Sequence, residues 1–213
     1  KCTELLISRL VLDETVQNMI AKGDITMNFP IHTIDTAPEK SRPALEAISE
    51  RYGFIPNLAA AFAESPGAFN ALLGALKAYD DESLILAPVE RQVVLLTVSV
   101  ENHCEYCTAA HSMLAHSLGI GRDDVRALQQ GGAISDSKLE ALRQFTQALV
   151  ANRGVVDNAA LERFFDAGFT KGQVFEVVLG VSLKTLTNYA NHIASPPVNE
   201  QFKAFLPEWD AAA

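Results

Sequence analysis

The stretch Glu101-Asn102-His103-Cys104-Glu105-Tyr106-Cys107-Thr108-Ala109-Ala110-His111 decides how the chain is read. Cys104, Cys107 and His111 stand at i, i+3 and i+7, so on a helix they share one face. Just upstream, Pro88 opens a segment whose apolar residues Val93, Val94, Leu95, Leu96, Val98 and Val100 run nearly all the way round. Such a helix is buried rather than surface-lying. Its β-branched content would also suit a strand. The flanking pattern is helical, however, and no further strand signals exist for it to pair with, so the expectation is an all-α protein.

Outward from that stretch, helices are expected over Cys104 to Leu118, stopped by Gly119, and over Arg122 to Gln130, closed by Gly131-Gly132. Ser135 or Asp136 caps a helix to about Asn152, and Asn158 caps another to Ala167. Thr170 caps a long helix to about Ile193, ended by Pro196-Pro197. Toward the N-terminus, Ser65-Pro66 starts a helix running to about Tyr79. Asn57 is the expected N-cap of Leu58 to Glu64, and Ala44 to Tyr52 is helical up to Gly53. Asn28 to Arg42, with two prolines and a third just after it at Pro43, reads as an extended linker, and Leu5 to Ile20 as a further helix. The organisation expected is an extension and linker over 1–40, a single all-helical domain over 41–205 and a tail over 206–213. The first residue is Lys, and Met27 is read as the natural start.

The 213 residues suffice for one full core, with 48% apolar and 20% charged residues. A net charge of −9 argues against nucleic acid as a partner. No apolar run approaches the roughly 18–20 residues of a membrane span. The cysteines are Cys2, Cys104 and Cys107, an odd number with one close pair, unlike a secreted disulfide scaffold. With no signal peptide legible, the expected location is the cytoplasm. No nucleotide, flavin or haem motif is present, so no cofactor is expected.

In a reducing compartment a lone Cys-x-x-Cys is a redox centre or half a metal site. Side chains three apart on a helix have Cβ atoms about 5–6 Å apart, and a disulfide needs about 3.5–4.5 Å, so modest adjustment closes the pair. A helix starting near Cys104 would favour a thiolate there, which nominates Cys104 as the nucleophile. His111 is one turn beyond Cys107 and can take its proton. Paired thiols, a base and a helix N-terminus suit two-electron thiol chemistry, in which peroxide makes a sulfenic acid and the second thiol closes a disulfide. Two other readings stand beside it. The cysteines can be simple core residues, or Cys104, Cys107 and His111 can ligate zinc with His103, Glu101 or His116 as a fourth ligand. The lack of a second Cys-x-x-Cys weighs against zinc.

Glu-Tyr-Cys-Thr-Ala-Ala-His after Cys104, behind a buried helix beginning Pro88-Val89-Glu90-Arg91, resembles the alkyl hydroperoxidase D and carboxymuconolactone decarboxylase superfamily, and within it the peroxidase-related branch. Arg51-Tyr52-Gly53-Phe54-Ile55-Pro56-Asn57 and Asn188-Tyr189-Ala190-Asn191-His192-Ile193-Ala194 resemble two further signatures of that branch. The resemblance spans about Ser41 to Phe205. It implies an orthogonal helical bundle of the alkyl hydroperoxidase D type, assembled as a homo-oligomer, a trimer or hexamer. It implies an antioxidant peroxidase acting on organic hydroperoxides, with Cys107 attacking, Cys104 resolving and His111 in a proton relay. The reductant would be a dithiol, by analogy a lipoyl-type carrier. The family's relay glutamate is here Gln92, which hydrogen-bonds but cannot exchange a proton as a carboxylate does. Glu90 and Glu101 are nearby but out of phase, and Tyr106 replaces a second relay histidine. We expect Gln92 to orient His111.

The paired cysteines make lactone decarboxylation an unfavoured alternative, and no Arg or Lys cluster flanks the motif to bind a carboxylate. A redox sensor without turnover is a second alternative. His192, with Asn188 and Asn191, reads as a polar cluster that caps or packs a helix end, or else as a site wall or subunit contact; Asn188 and His192, at i and i+4, share a face. Tyr52, Phe54 and Pro56 are read as packing residues, and Trp209 as a residue that docks on a neighbouring subunit.

Overall fold

The computed structural model describes residues 29–209. The expected helix over Leu5 to Ile20, Met27 and the last four residues lie outside them. The described residues form nine α-helices: α1 (Arg42–Tyr52), α2 (Asn57–Phe62), α3 (Pro66–Tyr79), α4 (Pro88–Glu101), α5 (Glu105–Ser117), α6 (Arg122–Gln129), α7 (Ser137–Ala151), α8 (Asn158–Asp166) and α9 (Lys171–Ala194). Short 3-10 segments lie at Glu39–Ser41 and Glu200–Phe205, and no strand occurs among these residues. The all-α expectation holds, including for the β-branched run Val93 to Val100.

α4 is the centre. Val93 to Ser99 are all buried, because α5, α6, α7 and α9 pack around the helix. Its start is fixed twice over. Pro88 takes the first helical position, where no N–H is missed, and the Glu90 carboxylate accepts the Ala87 N–H at 2.8 Å. α9 crosses α4 so closely at Gly180 that a Cβ there would stand 2.5 Å from the Tyr79 hydroxyl and 2.8 Å from Val94 Cγ1. Only a residue without a side chain allows that approach, and it brings the inner face of α9 onto α4 and α5. On the far side, Phe164 stacks between Phe145 and Phe169, with ring centroids 4.4 and 4.5 Å apart. Each buried phenylalanine contributes about 1.5–3 kcal/mol by leaving water.

Caps account for most boundaries. Asp136 accepts from Leu139 N at 2.9 Å. Thr170 and Gln173 cap one another as a reciprocal box. Gly119, at φ 101°, ends α5. Three expectations differ. α8 is capped by Asp157, which accepts from Ala160 N, and Asn158 is its first residue. Asn57 begins α2 rather than capping it, and its amide reaches Pro197 O at 2.8 Å. The region expected to be a plain linker contains the turn Glu39–Ser41, whose Ser41 hydroxyl is buried on Ala63 O.

Candidate active site

The connection from α4 to α5 is three residues long. Cys104 N–H donates to Ser99 O at 2.9 Å and His103 N–H donates to Val100 O at 2.9 Å, the bond pair of a Schellman ending. The residue that such an ending places in the left-handed region is usually glycine. Here it is His103, at φ 50°. The sharp turn sets Cys104 at the N-cap of α5 and Cys107 in its first turn, among unpaired backbone N–H groups.

Both cysteines are free and only 2% exposed. They form a small cluster with Tyr106, Ala109 and Phe202, walled by Phe54, Leu58, Met113 and Val198. The turn before α2 and the strap after α9 supply that wall, tied through one acceptor. Asn199 Oδ1 receives the Tyr106 hydroxyl at 2.6 Å and Asn57 N–H at 2.9 Å. Phe202 meets Tyr106 and Phe54 edge-on, with centroids 5.7 and 5.9 Å apart. Phe54 packs as expected, whereas Tyr52 is exposed.

The fourth wall is α9. Asn191 Nδ2 lies 3.0 Å from Cys107 Sγ and 3.6 Å from Cys104 Sγ. Asn188 is fully buried and accepts from Asn102 Nδ2 at 3.0 Å. Lys184 is buried too, and its positive charge is among the causes that lower the Cys107 pKa. Asn188 Nδ2 and Asn191 Oδ1 are buried with no hydrogen-bond partner. Such orphans are rare in a packed interior and concentrate at working sites.

This environment splits the two thiols. Burial pushes Cys107 up, but the Cys104 hydrogen bond, Lys184 and Asn188 outweigh it and hold Cys107 below the ordinary thiol range. Cys104 is pushed up, first because it donates to Cys107 and then because it is buried. The acidic thiol is therefore Cys107, not the Cys104 that the helix N-terminus alone would nominate. Desolvation, and then the Lys184 charge, hold His111 well below its usual value, so it is neutral. His111 Nδ1 stands 2.9 Å from Gln92 Oε1. An amide oxygen only accepts, so Nδ1 carries the proton and Nε2 is left as an acceptor.

Of the residues singled out in the sequence, Cys104 and Cys107 come together, and Gln92 meets His111 one turn along α5 from Cys107. The others do not act there. Glu90 is buried on Ala87 N and on Lys138 Nζ at 2.7 Å. Glu101 accepts from Gln147 at 2.8 Å. His103 is exposed and edge-on to Trp209. Tyr106 uses its hydroxyl to hold the strap, and burial raises its pKa so that it stays protonated. Trp209 docks on its own chain, donating to Gln129 O at 2.9 Å. His192 is exposed, whereas Asn188 and Asn191 are buried, Asn188 on Asn102 and Asn191 on Cys107. Among the described residues, no three or more His, Cys, Asp or Glu side chains gather as a metal site. His116, for one, is taken up by Ile120 O. Asn191, read from sequence only as part of a polar cluster or site wall, stands on the cysteines, while Lys184 carries no signal in the motif and a cation beside it is unexpected.

Residues 63–150 match the carboxymuconolactone decarboxylase family. No curated protein matches the sequence. Several solved structures share the fold. A peroxidase-related protein with an alkylhydroperoxidase AhpD core, from Ralstonia eutropha JMP134, is 20% identical, with a TM-score of 0.75 over 82% of this chain and 93% of that one. A peroxidase-related protein from Silicibacter sp. TM1040 is 19% identical, with a TM-score of 0.72 over 83% and 92%. The debrominase Bmp8, as a cysteine-to-alanine variant in complex with 2,3,4-tribromopyrrole, is 16% identical, with a TM-score of 0.70 over 85% and 96%. The match over residues 63–150 and the helical fold shared with these structures agree with the resemblance to the carboxymuconolactone decarboxylase and alkyl hydroperoxidase D superfamily.

Proposed function

We propose that the protein is a thiol-dependent hydroperoxide reductase that cycles Cys104 and Cys107 between dithiol and disulfide. The observation that carries this reading is the pair itself: two adjacent buried free sulfurs, with the Asn191 amide donor 3.0 Å from Cys107 and 3.6 Å from Cys104, which favours a thiolate at Cys107 beside a Cys104 thiol. A thiolate is the attacking form, and a protonated neighbour is the form that resolves a sulfenic acid with loss of water. Cys107 attacks, Cys104 resolves, and His111 offers Nε2 as a proton acceptor while Gln92 fixes its ring. The substrate is an organic hydroperoxide, in keeping with the apolar wall of Phe54, Leu58, Met113 and Phe202. A small dithiol carrier of the lipoyl type restores the pair by exchange.

The same two electrons could reduce a carbon–bromine bond, the chemistry named for one structural neighbour. The discriminating experiment is a thiol count with intact mass on reduced, metal-free protein, before and after one equivalent of cumene hydroperoxide or of a brominated pyrrole. Loss of two thiols and two mass units with the hydroperoxide, mapped to Cys104 and Cys107 and reversed by dihydrolipoamide, supports the reading. Two thiols unchanged by the hydroperoxide in folded protein refute it.

The working form is proposed to be a homo-oligomer. Phe175, Val178, Leu186, Tyr189 and Ile193 form an exposed apolar stripe along the outer face of α9, the kind of surface that marks an association site. No helix among the described residues is long and apolar enough to cross a membrane.

A further inference from the structure

Lys184 is 4% exposed, and among the described residues no carboxylate lies within salt-bridge distance of it. The acidic groups on the helices packed against it are otherwise engaged or turned away. Glu90 is on Lys138, Glu101 is on Gln147, and Glu105 faces solvent. A buried ammonium without an anion is strongly unfavourable. It lies on the α9 face that carries Asn188 and Asn191, with Asn191 Nδ2 3.0 Å from Cys107 Sγ, and its charge acts on Cys104, Cys107 and His111. A sulfur with an amide donor upon it, a buried unpartnered amide N–H beside it on the same helix and a buried cation nearby is a site suited to an anion. His111 has no proton to offer it, since its one N–H is given to Gln92.

The geometry points to Lys184 as the acid of the reaction: its ammonium is the counter-ion of the Cys107 thiolate and supplies the proton taken by the oxygen that leaves when that sulfur is oxidised. The inference rests on the hydroperoxide reading for its oxidation step. Cys107 S⁻ attacks the terminal oxygen of the hydroperoxide. The S–O bond forms, the O–O bond breaks, and its electron pair leaves on the alkoxide oxygen, which takes a proton from Lys184 and departs as the alcohol. The sulfenic acid then condenses with the Cys104 thiol. The S–S bond forms, the S–O bond breaks, and hydroxide leaves with the Cys104 proton as water. A dithiol donor returns two electrons and two protons, one to Cys104 and one to Lys184, while Cys107 returns as thiolate. At each stage the buried site is electrically neutral: thiolate with ammonium before oxidation, disulfide with amine after it. The cycle thus avoids the stranded charge that a low-dielectric interior penalises.

The test uses the full-length protein and three variants. Lys184→Met removes the charge at similar volume. Lys184→Arg keeps the charge but supplies no proton, because a guanidinium does not deprotonate in proteins. Cys104→Ser isolates Cys107. The first readout is the pH profile of Cys107 alkylation by iodoacetamide in the Cys104→Ser background, which needs no hydroperoxide. Lys184→Met is expected to move the midpoint up by at least one pH unit and slow alkylation at pH 7 about 10-fold or more, while Lys184→Arg stays within about threefold. An unchanged profile in Lys184→Met overturns the counter-ion assignment. If Lys184→Met does not fold, an alkaline shift in Lys184→Arg as large as one unit overturns it equally.

The second readout is proton uptake during oxidation by cumene hydroperoxide in weakly buffered solution near pH 7. The wild type is expected to take up none per disulfide formed. Lys184→Arg is expected to take up one, and to react at least about 10-fold more slowly. One proton taken up by the wild type overturns the acid role. Absence of any thiol loss in the wild type overturns the hydroperoxide reading and the acid step with it, whereas the alkylation profile judges the ion pair on its own.

Discussion

Two buried charges in this molecule are provided for in opposite ways. Glu90, near the start of α4, is 5% exposed and fully engaged: one carboxylate oxygen accepts the Ala87 N–H and the other meets Lys138, itself half exposed. Lys184, on α9, is as deeply buried and has no carboxylate within salt-bridge distance among the described residues, and the ionisable group its charge favours is the Cys107 thiol. A permanent counter-ion fixes a helix in place. A counter-ion that changes charge during a reaction ties the protein's electrostatics to its redox state. The first arrangement belongs to stability and the second to function.

The largest effect expected from breaking this contrast is at the second site. Cys107→Ser removes the attacking sulfur, and thiol loss on adding hydroperoxide should fall to the uncatalysed background. Cys104→Ser should still lose its one motif thiol, as a sulfenic acid that a dimedone adduct traps by mass. If Cys107→Ser oxidises at the wild-type rate, Cys104 is the nucleophile and the split is misassigned. Breaking the first site should act only on stability. Glu90→Ala removes a cap and a buried ion-pair partner. Because Lys138 can turn to water, the cost should be about 2 kcal/mol, below the roughly 3–5 kcal/mol of a pair buried on both sides. Urea denaturation measures it, and Cys107 alkylation in the folded variant should be unchanged.

Smaller effects come from pH. Cys107 ionises more readily folded than unfolded, so between its folded value and the ordinary thiol range the unfolded chain binds more protons. Stability therefore rises with pH through that window and is lost as pH falls through the folded value. His111 acts with the same sign. It resists protonation when folded, so its contribution is present above about pH 6.5 and is lost below it as the unfolded histidine takes a proton. Cys104 has the opposite sign, but only above about pH 8.5, where the unfolded thiol ionises and the folded one does not. The thermal midpoint should climb from pH 5 to pH 8, and more shallowly in Cys107→Ser. An identical slope in that variant would leave the thiolate without a share in stability. Gln92→Glu sets a carboxylate against His111 Nδ1 and should raise the histidine's pKa into a range that proton NMR can follow. It should also change hydroperoxide turnover about threefold or more; unchanged turnover would remove Gln92 from the relay.

The parts of the site that were legible in sequence are those carried by one helix. Cys104, Cys107 and His111 fall at i, i+3 and i+7, and α5 delivers that spacing directly. The partners on α9 come from roughly 80 residues away, and the packing around Gly180 sets them opposite the cysteines. A signal for them existed. At 3.6 residues per turn, Asn191 lies about 20° round the helix from Lys184, Asn188 about 40° and His192 about 80°. Lys184, Asn188 and Asn191 therefore share the face that buries Val177 and Gly180, while His192 rotates out to solvent. A lysine on the apolar face of a 24-residue helix is the anomaly that reading the motif alone passes over. The fold was easier, because α4 is apolar nearly all round and Asp136 and Thr170 cap the helices they precede. The caps that differed did so by one residue: Asp157 rather than its neighbour Asn158 takes the Ala160 N–H, and Asn57 turns its side chain to Pro197 O.

The junction of α4 with α5 gives the smallest predicted effect. His103 holds φ 50° to complete the Schellman ending that delivers Cys104 to its N-cap. A non-glycine residue in the left-handed region costs about 1–2 kcal/mol, somewhat less for histidine, which visits it more readily than most. Glycine would remove that strain, but it adds freedom to the unfolded chain and loses the edge contact with Trp209. The terms nearly offset, so His103→Gly should change stability by less than about 1 kcal/mol and leave the Cys107 alkylation profile where it was. If His103 were instead a member of the relay, or a ligand to a metal shared with the cysteines, the same substitution would shift that profile while stability barely moved. Measuring both on one variant separates a histidine that shapes the turn from one that serves the chemistry.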